Sequence, residues 1–271
     1  MSDKEKPAFN AINYWNDRYG IIDATKSGHI DLPAEYNHWL YRRKQDNVAK
    51  GLRAVGGTLC GNKLLEIAAG SGAWMAFWQS HGVADYFGTD LSACAVAGLA
   101  ARFPDKRFQQ RDLNDLGLAG AVGTGYDSVA AIDVLYHVID DDQFCRVMVD
   151  IATVMKPGAL LIIHDQFVHG AAQDHRQYIR WRALVQYEPV LDLAGFDIVY
   201  RRPSFFFMIQ NADYTGRAAK ILKFVWDNLT YPFIEKFPRL AGAIGYAIDT
   251  VICAFLCEGP SMEIMVCRKR G

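Results

Sequence analysis

Between residues 63 and 165 short strand-like runs recur, and they end at or near an acid. Leu64–Ala68 carries Glu66, Tyr86–Thr89 runs into Asp90, Phe108–Arg111 into Asp112, and Val129–Ile132 into Asp133. The acids follow one another at intervals of 24, 22 and 21 residues. Segments with helical patterning fill the gaps, among them Ala93–Arg102 and Asp141–Met155. Short strands alternating with helices at this spacing predict a parallel α/β sheet. Met155-Lys156-Pro157-Gly158 reads as a helix stop, with Gly158 just past the end. The fully apolar Ala159–Ile163 then reads as a central buried strand. Open sheets of this kind bind ligands beyond the carboxyl ends of their strands. One Asp there would be an ordinary helix cap; a recurring series of acids marks a site.

The flanks are less regular. An aromatic cluster with one arginine spans Tyr14–Tyr19, and Gly28 and Pro33 punctuate the loop after it. Tyr36–Val55 reads as a helix with Trp39, Leu40, Val48 and Leu52 on one face and Arg42, Arg43 and Lys44 on or beside it. Such a helix either packs on the sheet or forms a lid over a small ligand. Downstream, Gln173–Leu193 reads as one or two helices carrying Arg176, Arg180 and Arg182. Phe196–Tyr200 and Phe205–Ile209 read as strands, 216–258 as mostly helical, and Met262–Cys267 as a closing strand. Leu240–Cys257 holds one charge, Asp249, in eighteen residues. That length raises the question of a membrane span. Asp249 near its middle, the breaks at Gly242, Gly245 and Thr250, and the strand-like segment that follows favour a buried or cap helix and no integral membrane insertion.

Composition narrows the partners. The 271 residues include 29 basic and 30 acidic side chains, for a net charge of −1. Without a basic excess or a long charge run, a nucleic-acid partner is not expected. The first six residues are polar, unlike a signal peptide, and the six cysteines form no Cys-x-x-Cys pair. A cytoplasmic protein with core thiols is the expectation.

The chemistry centres on Glu66-Ile67-Ala68-Ala69-Gly70-Ser71-Gly72. A strand, a tight glycine turn and a helix start fit this order, and glycine lets backbone approach a ligand. A dinucleotide fingerprint needs a small residue where Met75 stands, and a P-loop needs a lysine after its glycines. Neither fits. The stretch resembles the acid-x-G-x-G-x-G motif of class I S-adenosylmethionine (SAM)-dependent methyltransferases of the small-molecule type, with Ala68 in place of the first glycine. Other landmarks match in order. Gly88-Thr89-Asp90-Leu91-Ser92 resembles the segment that holds the ribose hydroxyls, and Asp112-Leu113-Asn114 the one beside the adenine. Ile132-Asp133 to His137 resembles the motif near the methionine amine and substrate. Tyr14, Arg18 and Arg42 or Arg43 resemble the N-terminal cover of such enzymes. The resemblance is strongest over residues 60–165.

It implies a Rossmann-like sheet of seven strands, mostly parallel with the last reversed, helices on both faces and a helical cap. Residues 1–58 would form a helical lid, 59–215 the SAM-binding core, 216–258 a helical insertion, and 259–271 the final strand. The insertion would serve as a cap or an oligomer contact, with a homodimer the simplest case. The implied cofactor residues are Tyr14, Arg18, Arg42, Arg43, Glu66, Ala68, Gly70, Gly72, Asp90, Leu91, Asp112, Leu113, Ile132 and Asp133.

Methyl transfer from a sulfonium is an in-line displacement whose main demands are positioning and desolvation. A base is needed only when the bound nucleophile carries a proton. Candidates are His137, past the fourth strand, and His164 or His169, near the end of the fifth; Asp165 could orient the substrate. Asp165 is followed by Gln166 and not Asn, so no metal is expected. Arg176, Arg180 and Arg182 could hold a carboxylate, with Tyr178, Trp181 and Tyr187 as an aromatic wall. The expected function is methylation of a small metabolite, carboxylate-bearing if those arginines serve it. A non-catalytic SAM- or nucleotide-binding regulatory module and an NAD(P)-dependent oxidoreductase are the alternatives.

Overall fold

The computed structural model describes residues 9–20, 28–210 and 216–271. The lid and core expected over 1–58 and 59–215 include residues 1–8, 21–27 and 211–215, which lie outside the described residues. Two helices come first, α1 (Ala11–Tyr19) and α2 (Ala34–Ala54). The alternating unit follows: β1 (Lys63–Ile67), α3 (Met75–Ser80), β2 (Asp85–Asp90), α4 (Ala93–Arg102), β3 (Arg107–Gln110), α5 (Leu118–Val122), β4 (Tyr126–Ile132), a single 3₁₀ turn (Leu135–His137), α6 (Asp141–Val154) and β5 (Met155–Val168). A hairpin, β6 (Gln173–Arg176) and β7 (Ile179–Ala183), leads to α7 (Leu184–Leu193) and β8 (Phe196–Pro203). Three helices, α8 (Gly216–Val225), α9 (Tyr231–Lys236) and α10 (Pro238–Phe255), precede β9 (Met262–Lys269).

Seven strands pair in the order β3-β2-β1-β4-β5-β9-β8, and β9 runs antiparallel to both its neighbours. This is the expected sheet with its last strand reversed, and β7 and β6, pairing on from the end of β5, bring it to nine strands where seven were expected. The order reverses between β1 and β4, so the carboxyl ends of those strands open a crevice there. Buried apolar layers cover both faces. One, from Leu65 and Val129 to Met148 and Ile151, packs under α5, α6 and α7. The other, with Val48, Leu52, Trp78 and Ile162, packs under α2 and α3. Helix starts follow local chemistry: Ser92 and Asp140 accept backbone N–H groups at the heads of α4 and α6.

The helical cap closes one end. Leu40 and Tyr36 of α2 meet Phe205, Met208, Ile234 and Ala241 in a third apolar cluster. Gly242 lets α10 come close to α2, because a Cβ there would lie 2.2 Å from the Trp39 ring. Arg43 donates to the carbonyls of Ser204 (3.1 Å) and Asp249 (3.0 Å). The Asp249 carboxylate accepts the backbone N–H groups of Phe206, Phe207 and Met208 at 2.9, 2.9 and 3.1 Å.

Four local expectations change. Gln173–Ala183 is a hairpin and not helix, because β7 pairs with the end of β5 and Arg180 and Arg182 converge on Asp141. Phe205–Ile209 is a bent segment wrapped on the Asp249 carboxylate and forms no strand. Helix α6 ends at Val154, so Gly158, at φ 78°, turns the start of β5 and caps no helix. Finally, of the two expectations for Leu240–Cys257, a buried or a cap helix, the buried one is dropped. Helix α10 is long and apolar enough to cross a membrane by length and composition, and only 22 % of it is covered by the rest of the chain.

Candidate functional site

Beyond the carboxyl ends of β1, β2 and β4 lies a cavity of about 720 Å³, within the range of small-molecule sites. At the glycine turn the backbone takes left-handed conformations at Ala68 (φ 58°), Gly70 (57°) and Gly72 (76°). Ala68 thus adopts a shape that glycine holds without steric cost. Three amides of this turn are already used. Ala69 donates to the Thr89 carbonyl (2.9 Å), Gly70 to the Asp90 carboxylate (2.8 Å), and Gly72 to the Ala69 carbonyl (2.9 Å). A phosphate would meet spent donors and an acid here, which disfavours the dinucleotide alternative.

The acids at the strand ends sit in contrasting environments. Glu66 is buried and unpaired with any cation; Trp78 Nε1 and the Tyr86 hydroxyl both donate to its Oε2, at 2.8 and 2.6 Å. Burial pushes its carboxyl up to about 7, against the pull of those two hydrogen bonds. Asp90 is fixed by Gly70 N–H and by Ser92 N–H (2.8 Å), and burial raises it as well. The Ser92 hydroxyl donates to Asn16 Oδ1 (2.8 Å), tying α1 to this rim.

Asp133 has a positive φ of 56°, and its carboxylate meets Lys44 Nζ on one oxygen and His164 Nδ1 on the other. Enclosure alone would push it up; the Lys44 ammonium and His164 outweigh that and hold it well below the usual carboxylate range. Burial lowers His164, so the ring is neutral and donates Nδ1–H to Asp133. Its Nε2 is then a bare acceptor without a partner, a smaller cost than an orphaned N–H.

His137 lines the cavity, and its Nδ1 lies 2.8 Å from the Tyr178 carbonyl. A carbonyl only accepts, so the proton is on Nδ1 and Nε2 carries the lone pair. Burial lowers its pKa, with the Tyr178 bond opposing, so the ring is neutral near pH 7. Aromatic rings surround it. The Trp15 and Tyr178 rings lie 5.3 and 5.8 Å from it by centroid, and Tyr14 lies 5.2 Å from Tyr178.

Of the residues expected at the site, Tyr14, Arg18, Glu66, Ala68, Gly70, Asp90, Leu91, Asp112, Leu113, Ile132, Asp133 and His137 line this one cavity. Six do not. Gly72 faces Leu99 and Met75 behind the turn. Arg42 lies over the Trp39 and Tyr246 rings, and Arg43 is locked into the cap. His169, 45 % exposed, pairs with Glu258 at 3.1 Å. Asp165 points to the other sheet face, where the Tyr187 hydroxyl and Gln166 N–H bond it, as side-chain alternation along β5 requires. Burial pushes it up to about 7. Tyr187 therefore belongs to the core. Arg180 and Arg182 are held by Asp141; Arg176 alone of the three arginines lines the cavity, beside Asp31 (3.6 Å).

Sequence reasoning missed Lys44 as a site residue, and also Trp15, Tyr41, Tyr136 and Gln166, all of which line the cavity. The signal for Gln166 was available. It shares the His164 side of β5, and its amide nitrogen is buried without a partner.

A family model described as a methyltransferase domain matches residues 36–200. Among solved structures, the cyclopropane synthase MmaA2 from Mycobacterium tuberculosis is 13% identical, with 97% of this chain and 100% of that one covered at a TM-score of 0.55. An S-adenosylmethionine-dependent methyltransferase from Clostridium acetobutylicum is 11% identical over 85% of this chain and 92% of its own, at 0.54. The [4+2]-cyclase SpnF is 18% identical over 84% and 80%, at 0.55. At these identities the likeness establishes the fold. A search of curated proteins returned no significant match.

Proposed function

The chain belongs to the methyltransferase-domain family, the class I enzymes that use S-adenosylmethionine, and we propose that it moves the methyl group to a small, largely apolar or aromatic acceptor whose nucleophilic atom carries a proton. The observation that carries this reading is His137, a neutral ring with its Nδ1–H fixed on the Tyr178 carbonyl. That bond leaves Nε2 as the proton acceptor at the cavity wall.

The cavity's residues fit the donor. Asp90, oriented by two amides, would take the ribose hydroxyls, and Leu91 and Leu113 would flank the adenine. Glu66, an acid without a cationic partner, would receive the ammonium; Asp133 already has Lys44. When bound, SAM supplies an activated methyl on a sulfonium whose leaving group is neutral. The chain then has three tasks. It excludes water with Tyr14, Trp15 and Tyr178, aligns the acceptor, and takes its proton at His137 Nε2. Trp181 and Tyr136 extend an aromatic wall, and the unpartnered Gln166 amide offers the acceptor one hydrogen bond. A carboxylate on the acceptor would be met by Arg176.

The name of SpnF, a cyclase, keeps a second reading in view: this fold hosts chemistry other than methyl transfer. Calorimetry with SAM followed by a methyl-release assay over phenols, amines and carboxylic acids tests the proposal. Micromolar SAM binding with turnover of a proton-bearing acceptor supports it. Tight binding without release from any acceptor class would favour a non-catalytic or cyclase-type role.

A further inference from the structure

Helix α10 is built inside out for a helix on a globular surface. Its inward face carries Ala241, Gly242, Asp249 and Cys253. Its large apolar side chains point outward: Leu240, Ile244, Ile248, Val251 and Phe255 are exposed, Val251 at 61 % and Phe255 at 84 %. Their spacing of 4, 4, 3 and 4 residues sets them in one stripe. The elements before it continue the pattern, with Ile221, Phe224, Leu229, Phe233 and Phe237 exposed as well. Exposed large apolar residues at this density mark an interaction surface.

Charge selects the occupant. Lys220, Lys236 and Arg239 are exposed among these residues, Lys223 is paired with Asp227, and Glu235 is an exposed acid beside Lys236, which leaves the face with an excess of two positive charges. A twofold contact would lay this net-positive face on a copy of the same net charge. Basic side chains interleaved with Phe and Leu on amphipathic helices instead match an anionic lipid surface, with the charges at the phosphates and the rings at the acyl boundary. The helix lies in the plane and does not span. Asp249 holds three backbone amides of the cap and Gly242 seats Trp39, contacts that a spanning α10 would lose. The face also adjoins the cavity. The Tyr231 hydroxyl of α9 donates to the Asp31 carbonyl (3.1 Å), and Asp31 and the exposed Ile30 both line the cavity rim.

We propose that the outer face of α8–α10 docks on an anionic bilayer surface and holds the cavity rim against it. This is independent of the transfer reaction. The test is co-sedimentation of the full chain with vesicles of phosphatidylcholine alone and with phosphatidylglycerol added. Binding is expected to be at least about tenfold stronger with phosphatidylglycerol, since each basic side chain near such a surface contributes about fivefold. Val251→Glu with Phe255→Glu should abolish binding to both vesicle types. Lys220→Glu with Arg239→Glu should abolish the preference for phosphatidylglycerol. Unchanged thermal melting of both variants shows that the fold is intact, whether or not SAM binds. Wild-type protein that sediments with neither vesicle, or variants that bind like wild type, overturn the proposal. So does a dimer by light scattering that Val251→Glu with Phe255→Glu converts to monomer.

Discussion

Two neighbours on α2, Arg43 and Lys44, turn inward to two different acidic residues. Arg43 donates to the backbone carbonyl of the buried Asp249, and Lys44 pairs with the carboxylate of the part-buried Asp133. Asp249 is saturated: three backbone amides fill its oxygens, and no part of it is exposed. Asp133 is partnered only by side chains, holds an unfavourable φ, and borders the cavity. The first arrangement has nothing left to offer a ligand and builds the cap. The second keeps its charge on a wall that a substrate can reach. Burial of a charged group is therefore a poor guide to function; what its partners leave open is a better one.

The sharpest break of this contrast is Asp249→Ala. It leaves three amides without acceptors, which should cost about 3–5 kcal/mol in urea denaturation, while SAM affinity in the folded protein changes little. A variant that unfolds no more readily than wild type would remove Asp249 from the cap's foundation.

On the open side, His137→Gln should slow methyl release roughly 10²–10⁴-fold with SAM affinity intact, the range expected for loss of a positioned base. Because burial lowers the His137 pKa below 6.5, the wild-type rate should rise with pH only below neutrality and stay level above it. A rate still climbing past pH 7 would point to a different base.

Glu66→Gln separates fold from site more finely. The Glu66 carboxyl is raised to about 7 in the fold from its ordinary 4.5. The folded state therefore binds more protons between those values, and stability falls as pH rises through that window. Glu66→Gln should flatten this slope and stabilise the empty protein near pH 8 by up to about 3 kcal/mol. It should also weaken SAM about tenfold, because the ammonium loses its acid. Wild-type SAM affinity should increase with pH toward 7 and then level off. Equal affinity at pH 6 and 8 would take the ammonium away from Glu66.

The smallest effect is Ala68→Gly. It relieves a left-handed alanine at the cost of a freer unfolded chain, for a net gain of under about 1 kcal/mol in thermal unfolding. A measurable loss of stability would mean that the Ala68 methyl packs productively.

The parallel centre of the sheet was legible because β1, β2 and β4 are largely apolar runs with an acid at or near the end, and each run is a local pattern. The motif set around Glu66, Asp90, Asp112 and Asp133 was legible for the same reason, and these four residues line one cavity. What was not legible depends on distant partners. The segment Phe205–Ile209 looks like a strand until Asp249, more than forty residues on, supplies its acceptors. Arg176 and Arg180 have helical spacing, but their segment pairs with the end of β5. Arg42, Arg43 and Lys44 are consecutive, and a helix sends each in a different direction. Only the packed structure picks Lys44 for the cavity.

The most direct test of the account is a crystal structure with the reaction product S-adenosylhomocysteine. The account predicts its ribose hydroxyls on Asp90, its ammonium at Glu66, and its sulfur facing the space beside His137. A product bound away from the β1–β4 crevice, or with its sulfur turned from His137, would contradict it.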